Sequence, residues 1–180
     1  MKLAGLRQRD DVTCGPAVAV AASALLSPRY RERLTGRAWF AGEQGRVHEA
    51  VNRFWPKRYG TTPAGVARAI NEHSPVPYRW RPWWGGCDRL CDVLAAVDQD
   101  RPVAMLIGRV VPRHWVLLVS RDRMRTPGVV ACFEPSAGEV RPVEVEAIRT
   151  ATLSGLGFPR PYAFVLPRSG SSAATRRATA

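Results

Sequence analysis

The sequence predicts an α+β domain in which N-terminal helices pack on an antiparallel sheet. Up to about residue 100, apolar residues recur at helical spacing, between capping residues and prolines suited to first turns. Beyond that point the period changes to short runs rich in β-formers, bounded by proline, glycine and charged turns. Helices first and strands second is the order of an α+β fold. A length of 180 residues, 46% hydrophobic and 23% charged, suits one domain with a sizeable core.

The elements follow in order. Thr13 is a capping-type residue, Pro16 suits a first turn, and nothing from Ala17 to Leu26 breaks a helix. The arginine-rich stretch SPRYRERLTGRAW is expected to be partly helical and solvated. Residues 43–54 read as a short amphipathic helix with Val47, Val51 and Phe54 on one stripe. In GTTPAGVARAINEH, Thr61 or Thr62 caps a helix, Pro63 sits in its first turn, and Val66, Ala69 and Ile70 face inward. Residues 74–86 hold three of the six tryptophans among prolines and glycines and read as a loop. Leu90, Cys91, Leu94 and Val97 predict a helix over 88–100. Strands are expected at 102–108, 114–121, 129–134 and 162–167, and 143–149 is either a strand or a short helix. The tail 168–180, RSGSSAATRRATA, is small, polar and basic, and disorder is expected there, with the folded domain at 1–167.

Charge narrows the function classes. The net charge is +12, but of 27 basic residues only Lys2 and Lys57 are lysine, and the arginines are scattered with no run longer than two. Nucleic-acid binders concentrate charge on one face or helix, so no specific nucleic-acid partner is expected. No secretory signal is legible in residues 1–13, and the longest apolar run, Ala17–Leu26, is about half the length of a membrane span. Four cysteines in a chain of this size make no disulfide scaffold, and a cytoplasmic setting is expected.

Cys14 carries the first chemical signal. A thiol at a helix N-terminus feels the positive end of the macrodipole, which favours the nucleophilic thiolate. A nucleophile needs a base, and the chain offers His48, His73 and His114. The first two sit in polar surroundings and read as solvated. His114 opens the apolar strand HWVLLV, where a rigid element could hold a catalytic side chain. Glu134 ends the next apolar run, in CFEPS, and is the candidate orienter. If 121 lies opposite 128 in a hairpin, position 114 faces 135 and Glu134 is one residue away, on the opposite face. A one-residue bulge would bring the two side chains together. Gln8, six residues before Cys14, can supply an oxyanion donor together with the Cys14 backbone N–H.

With these residues in view, QRDDVTCGPA resembles the active-site segment of the bacteriocin-processing, double-glycine-type peptidases and their stand-alone relatives, within the papain-like cysteine peptidase superfamily. HWVLLV resembles that family's histidine strand, FEPSAG the acidic or amide residue followed by proline, and GTTPAGVARAI its mid-domain helix. The likeness runs from Gln8 to about Pro167. It implies a papain-like fold and a cysteine peptidase acting on a peptide or protein substrate, with no cofactor or metal. Carried over by position, Cys14 is the nucleophile, His114 the base, Glu134 the orienter and Gln8 the oxyanion donor. Glu134 stands where the family has Asp or Asn, and is one methylene longer. The alternatives are a non-catalytic papain-like binding module and, behind it, a basic nucleic-acid-binding domain. Cys87 and Cys91 lack the second ligand pair that zinc requires, so Cys87 is expected at a helix start and Cys91 in the core. Trp80 to Trp84 could line a peptide groove or pack on their own domain.

Overall fold

The computed structural model describes residues 3–120, 127–153 and 155–168. The expected tail beyond Arg168 and most of the 121–128 turn therefore lie outside the described residues. Helix α1 spans Cys14–Leu26, α2 Pro28–Glu32, α3 Arg37–Val51 and α4 Pro63–Asn71. They are followed by β1 (Tyr78–Pro82), α5 (Cys91–Asp98), β2 (Val103–Gly108), β3 (Pro112–Ser120), β4 (Val129–Glu134), β5 (Glu139–Glu144), α6 (Val145–Arg149) and β6 (Arg160–Pro167). The six strands form one sheet in the order β1-β6-β2-β3-β4-β5, with every neighbouring pair antiparallel.

Helix α1 is buried from Cys14 to Ala24, because its small residues let it press at once against α3, α4 and β3. Alternation along the strands splits the core in two. Trp115, Leu117 and Phe133 join the cluster under α1, α3 and α4, whereas Val116, Leu118 and Cys132 join a second cluster with α5 and α6. Both faces are thus covered, and for that reason the central strands read as continuous apolar runs. No described helix is long and apolar enough to cross a membrane.

Several elements differ from expectation. Helix α3 begins six residues earlier than predicted and ends at Val51, leaving Phe54 94% exposed rather than on the inner stripe. The supposed loop 74–86 contains strand β1, an edge strand, where its terminal Pro82 is tolerated. Arg81, on β1, is buried and bonded to Asp88 and Asp92, both at 2.6 Å, so charge pairing rather than apolar packing pins this segment. Trp80 and Trp84 stay exposed. Helix α5 starts at Cys91, which is exposed like Cys87, and its buried face is Val93, Ala96 and Val97. The ambiguous 143–149 stretch is divided between the end of β5 and the short helix α6.

Candidate active site

Cys14 is the first residue of α1 and is 3% exposed. Thr13 occupies the cap position but turns away from the helix: its hydroxyl donates to the Asp10 carbonyl at 3.1 Å and accepts from the Asp10 N–H at 3.0 Å. The same turn is tightened by the Val12 N–H, which donates to the Asp10 carboxylate. Gly15 is required by close packing. A Cβ at this position would lie 2.9 Å from the Thr61 Cβ and 3.2 Å from the Trp115 ring. The Trp115 indole N–H in turn donates to the Thr61 carbonyl at 3.0 Å. The start of α1 is thereby pressed against β3, one residue from His114.

His114 is 7% exposed and pairs with Ile107 across β2. Its Nε2 lies 2.7 Å from the Glu134 carboxylate. The register between β3 and β4 explains how they meet. Leu117 lies opposite Phe133 and Leu118 opposite Cys132, but Ser120 lies opposite Ala131, so the pairing shifts by one. That irregularity is the bulge the sequence argument required. Continued past Phe133, the shifted register sets position 136 opposite 114. His114 and Glu134 then become diagonal neighbours on one face.

Glu134 folds back on its own turn. Its carboxylate accepts from the Ser136 N–H at 2.8 Å and the Ala137 N–H at 2.7 Å while holding His114. Burial alone would raise its pKa, but the bonds from His114, Ala137 and Ser136 outweigh that and hold it down at about 2. For His114, burial pulls the pKa down, yet the adjacent Cys14 thiol and then Glu134 push it up to about 9. With Nε2 on Glu134, the ring nitrogen left to face the sulfur is Nδ1.

Gln8 reaches this site from the loop before α1. Its backbone N–H donates to the Pro135 carbonyl at 2.8 Å, and its side-chain carbonyl accepts from the Ser136 hydroxyl at 3.1 Å. The amide NH2 donates to the Asp10 carbonyl at 2.9 Å, which uses one of its two hydrogens. The seam continues through Gly5, whose N–H donates to the Gly138 carbonyl at 2.7 Å. Gly138 has φ +67°, and a Cβ there would meet the Leu6 carbonyl oxygen at 2.7 Å.

Sequence reasoning missed one member of this framework. Gln44, fully buried on α3, accepts from the Arg9 N–H at 2.9 Å and donates to the Arg7 carbonyl at 3.0 Å, clamping the backbone on both sides of Gln8. The legible signal was a glutamine on the inward stripe Phe40, Gln44, Val47, Val51. The other two histidines are not solvated as expected. His48 is buried and His73 stacks on Tyr30 at 3.9 Å between centroids, and burial lowers the pKa of both. The tryptophans 80–84 do not line the Cys14 cavity. Trp55, Tyr59 and Trp115 do.

A buried helix bearing a cysteine at its start, packed on an antiparallel sheet that carries a histidine and a carboxylate, is the layout of a papain-like α+β fold. The chain aligns in three dimensions with the peptidase domain of Streptococcus ComA, a bi-functional ABC transporter involved in a quorum-sensing pathway. The TM-score is 0.51 at 14% sequence identity, over 91% of this chain and 97% of that one. The likeness is one of fold. No protein-family model matches the sequence, and no curated protein matches it.

Proposed function

We propose that the protein is a cysteine peptidase that cleaves peptide or related amide bonds through an acyl-thioester on Cys14. The observation that carries this reading is the His114 ring, bonded to Glu134 at 2.7 Å through Nε2 and neighboured by the Cys14 thiol at the start of α1. Protonated His114 pairs with the thiolate. The sulfur attacks the scissile carbonyl, forming a C–S bond and an oxyanion that the Cys14 N–H and the Gln8 amide stabilise. Collapse of this intermediate breaks the C–N bond, and the departing amine takes the Nδ1 proton. Neutral His114 then accepts a proton from water as it attacks the thioester. The carboxylic acid departs and the thiolate–imidazolium pair is restored. Glu134 keeps the ring in the tautomer and orientation these transfers need. A reducing compartment keeps Cys14 in its working form.

The direct test is competitive alkylation. With limiting iodoacetamide near neutral pH, Cys14 is expected to react at least about tenfold faster than Cys87 or Cys91, although those two are exposed and Cys14 is not. Peptide mapping by mass spectrometry reads the order, and preferential modification of Cys87 and Cys91 removes the nucleophile. The role of Gln8 is tested separately. Gln8→Ala is expected to lower kcat about a hundredfold with KM little changed, since an oxyanion donor acts in the transition state. A rise in KM at constant kcat would make Gln8 a binding residue instead.

A further inference from the structure

A cavity of about 220 Å³ opens onto Cys14, with Leu106, Pro112 and Trp115 among its walls and Trp55, Tyr59 and Arg113 towards its mouth. Pockets that enclose a whole small molecule run from about 300 Å³ upward, so this one accommodates a side chain rather than a free ligand. Two segments reach its rim, 53–59 through Trp55 and Tyr59 and 109–113 through Pro112 and Arg113, and both carry apolar residues into solvent: Phe54 on the first, and Val110, 83% exposed, on the second. Neither rim contains an acidic residue. They carry five cations, Arg53, Lys57, Arg58, Arg109 and Arg113. Of these five, only Lys57 lies within 4 Å of a carboxylate among the described residues, Glu49 at 3.7 Å.

From the cavity and its rims we infer that the substrate is a peptide with a bulky apolar side chain beside the scissile bond and acidic residues flanking it. The inference rests on the peptidase reading and deepens it. Glycine beside the scissile bond would leave the cavity unfilled and its apolar walls wet, whereas a leucine or phenylalanine side chain removes that surface from water. The cations on both rims then select the flanking sequence by charge and steer it to the site. A bilayer surface, the other partner that apolar tips and cations attract, would lie across the rims and leave the concave floor empty.

The test uses peptidyl acyloxymethyl ketones and the whole chain, with intact-mass kinetics of the Cys14 adduct. One probe is all-glycine, others carry Leu or Phe at either of the two residues next to the ketone, and a further set adds flanking aspartates. The best Leu or Phe probe is expected to modify Cys14 at least about tenfold faster than the glycine parent, the range one filled apolar pocket confers. Flanking aspartates should add a further gain at low salt that disappears at about 0.5 M salt, and Arg113→Glu should reverse it. Equal or faster labelling by the glycine probe overturns the proposal, as does indifference to the aspartates. Sedimentation of the protein with phosphatidylserine vesicles, together with no side-chain preference, overturns it in favour of a lipid surface. Iodoacetamide separates the two levels. If it fails to single out Cys14, the peptidase reading falls and takes this inference with it; if it singles out Cys14 and the probes show no preference, only this inference falls.

Discussion

On the proposed peptidase reading, Cys14→Ala is expected to lower turnover by about four orders of magnitude or more while the fold persists. Alanine is smaller than cysteine and is the best helix former, so it fits the buried first position of α1 without strain. The same substitution has a consequence that does not depend on any substrate. Burial already pulls the His114 pKa down, and the thiol is the foremost group raising it to about 9. Without the sulfur, His114 titrates at lower pH, and NMR of its ring protons measures the change directly. An unchanged titration would mean that sulfur and imidazole are not coupled; retained hydrolysis would remove the mechanism outright.

Glu134→Ala is the second large effect, expected in both activity and stability. It removes the group holding His114 at 2.7 Å and leaves the Ser136 and Ala137 N–H groups without their acceptor. A cost of about 2–3 kcal/mol is the scale for such loss, or roughly 4–12 °C in Tm at this chain length. The two shifted groups give the pH dependence its sign. Glu134 is held at about 2, so its contribution is complete above the ordinary carboxylate range near 4.5 and is lost as pH falls towards 2. His114 is raised to about 9, so its contribution is complete below about 6.5 and is lost as pH rises towards 9. Thermal melts across pH should therefore show the advantage of the parent over Glu134→Ala greatest between about 4.5 and 6.5. Glu134→Gln keeps an acceptor oxygen and loses less activity than Ala. Glu134→Asp keeps the charge, but its shorter arm cannot hold His114 and both turn N–H groups together, so it falls between the parent and Ala. Parent-like turnover in all three variants would exclude Glu134 from the site.

The candidate site was legible where chemistry and local structure coincide. Cys14 before a helix and His114 at the mouth of an apolar strand each combine a reactive side chain with a readable element boundary. Glu134 was reachable only through the register. Its opposite-face placement in the simplest hairpin is corrected by the shift between Leu118 and Ser120. A bulge leaves no mark in hydrophobic alternation when both faces of the strand are buried, so its position could not be read. Helix α3 was misplaced because its inward stripe contains Gln44 and His48, polar residues satisfied or sheltered by tertiary contacts that periodicity scores as outward. Strand β1 was hidden by Pro82 and the prolines just before it and by Arg81, which is buried only because Asp88 and Asp92 arrive from later in the chain. The Cys14 cavity was missed for a related reason. Its aromatic walls come from 55–63 and 106–115, segments that only the fold brings together.

The strand order has a consequence for the protein during its own synthesis. β6, the last strand among the described residues, lies between β1 and β2, so the sheet is split into two parts until residues 160–167 have been made. Glu134 follows Cys14 by 120 positions (134 minus 14), at about 5–20 residues per second some 6–24 s afterwards. Through that interval the nascent chain carries the Cys14 thiol without Glu134, the carboxylate that holds His114 in the fold. On the proposed peptidase reading, a thiol whose partners arrive so late is kept from acting on the chain while most of that chain is still being made.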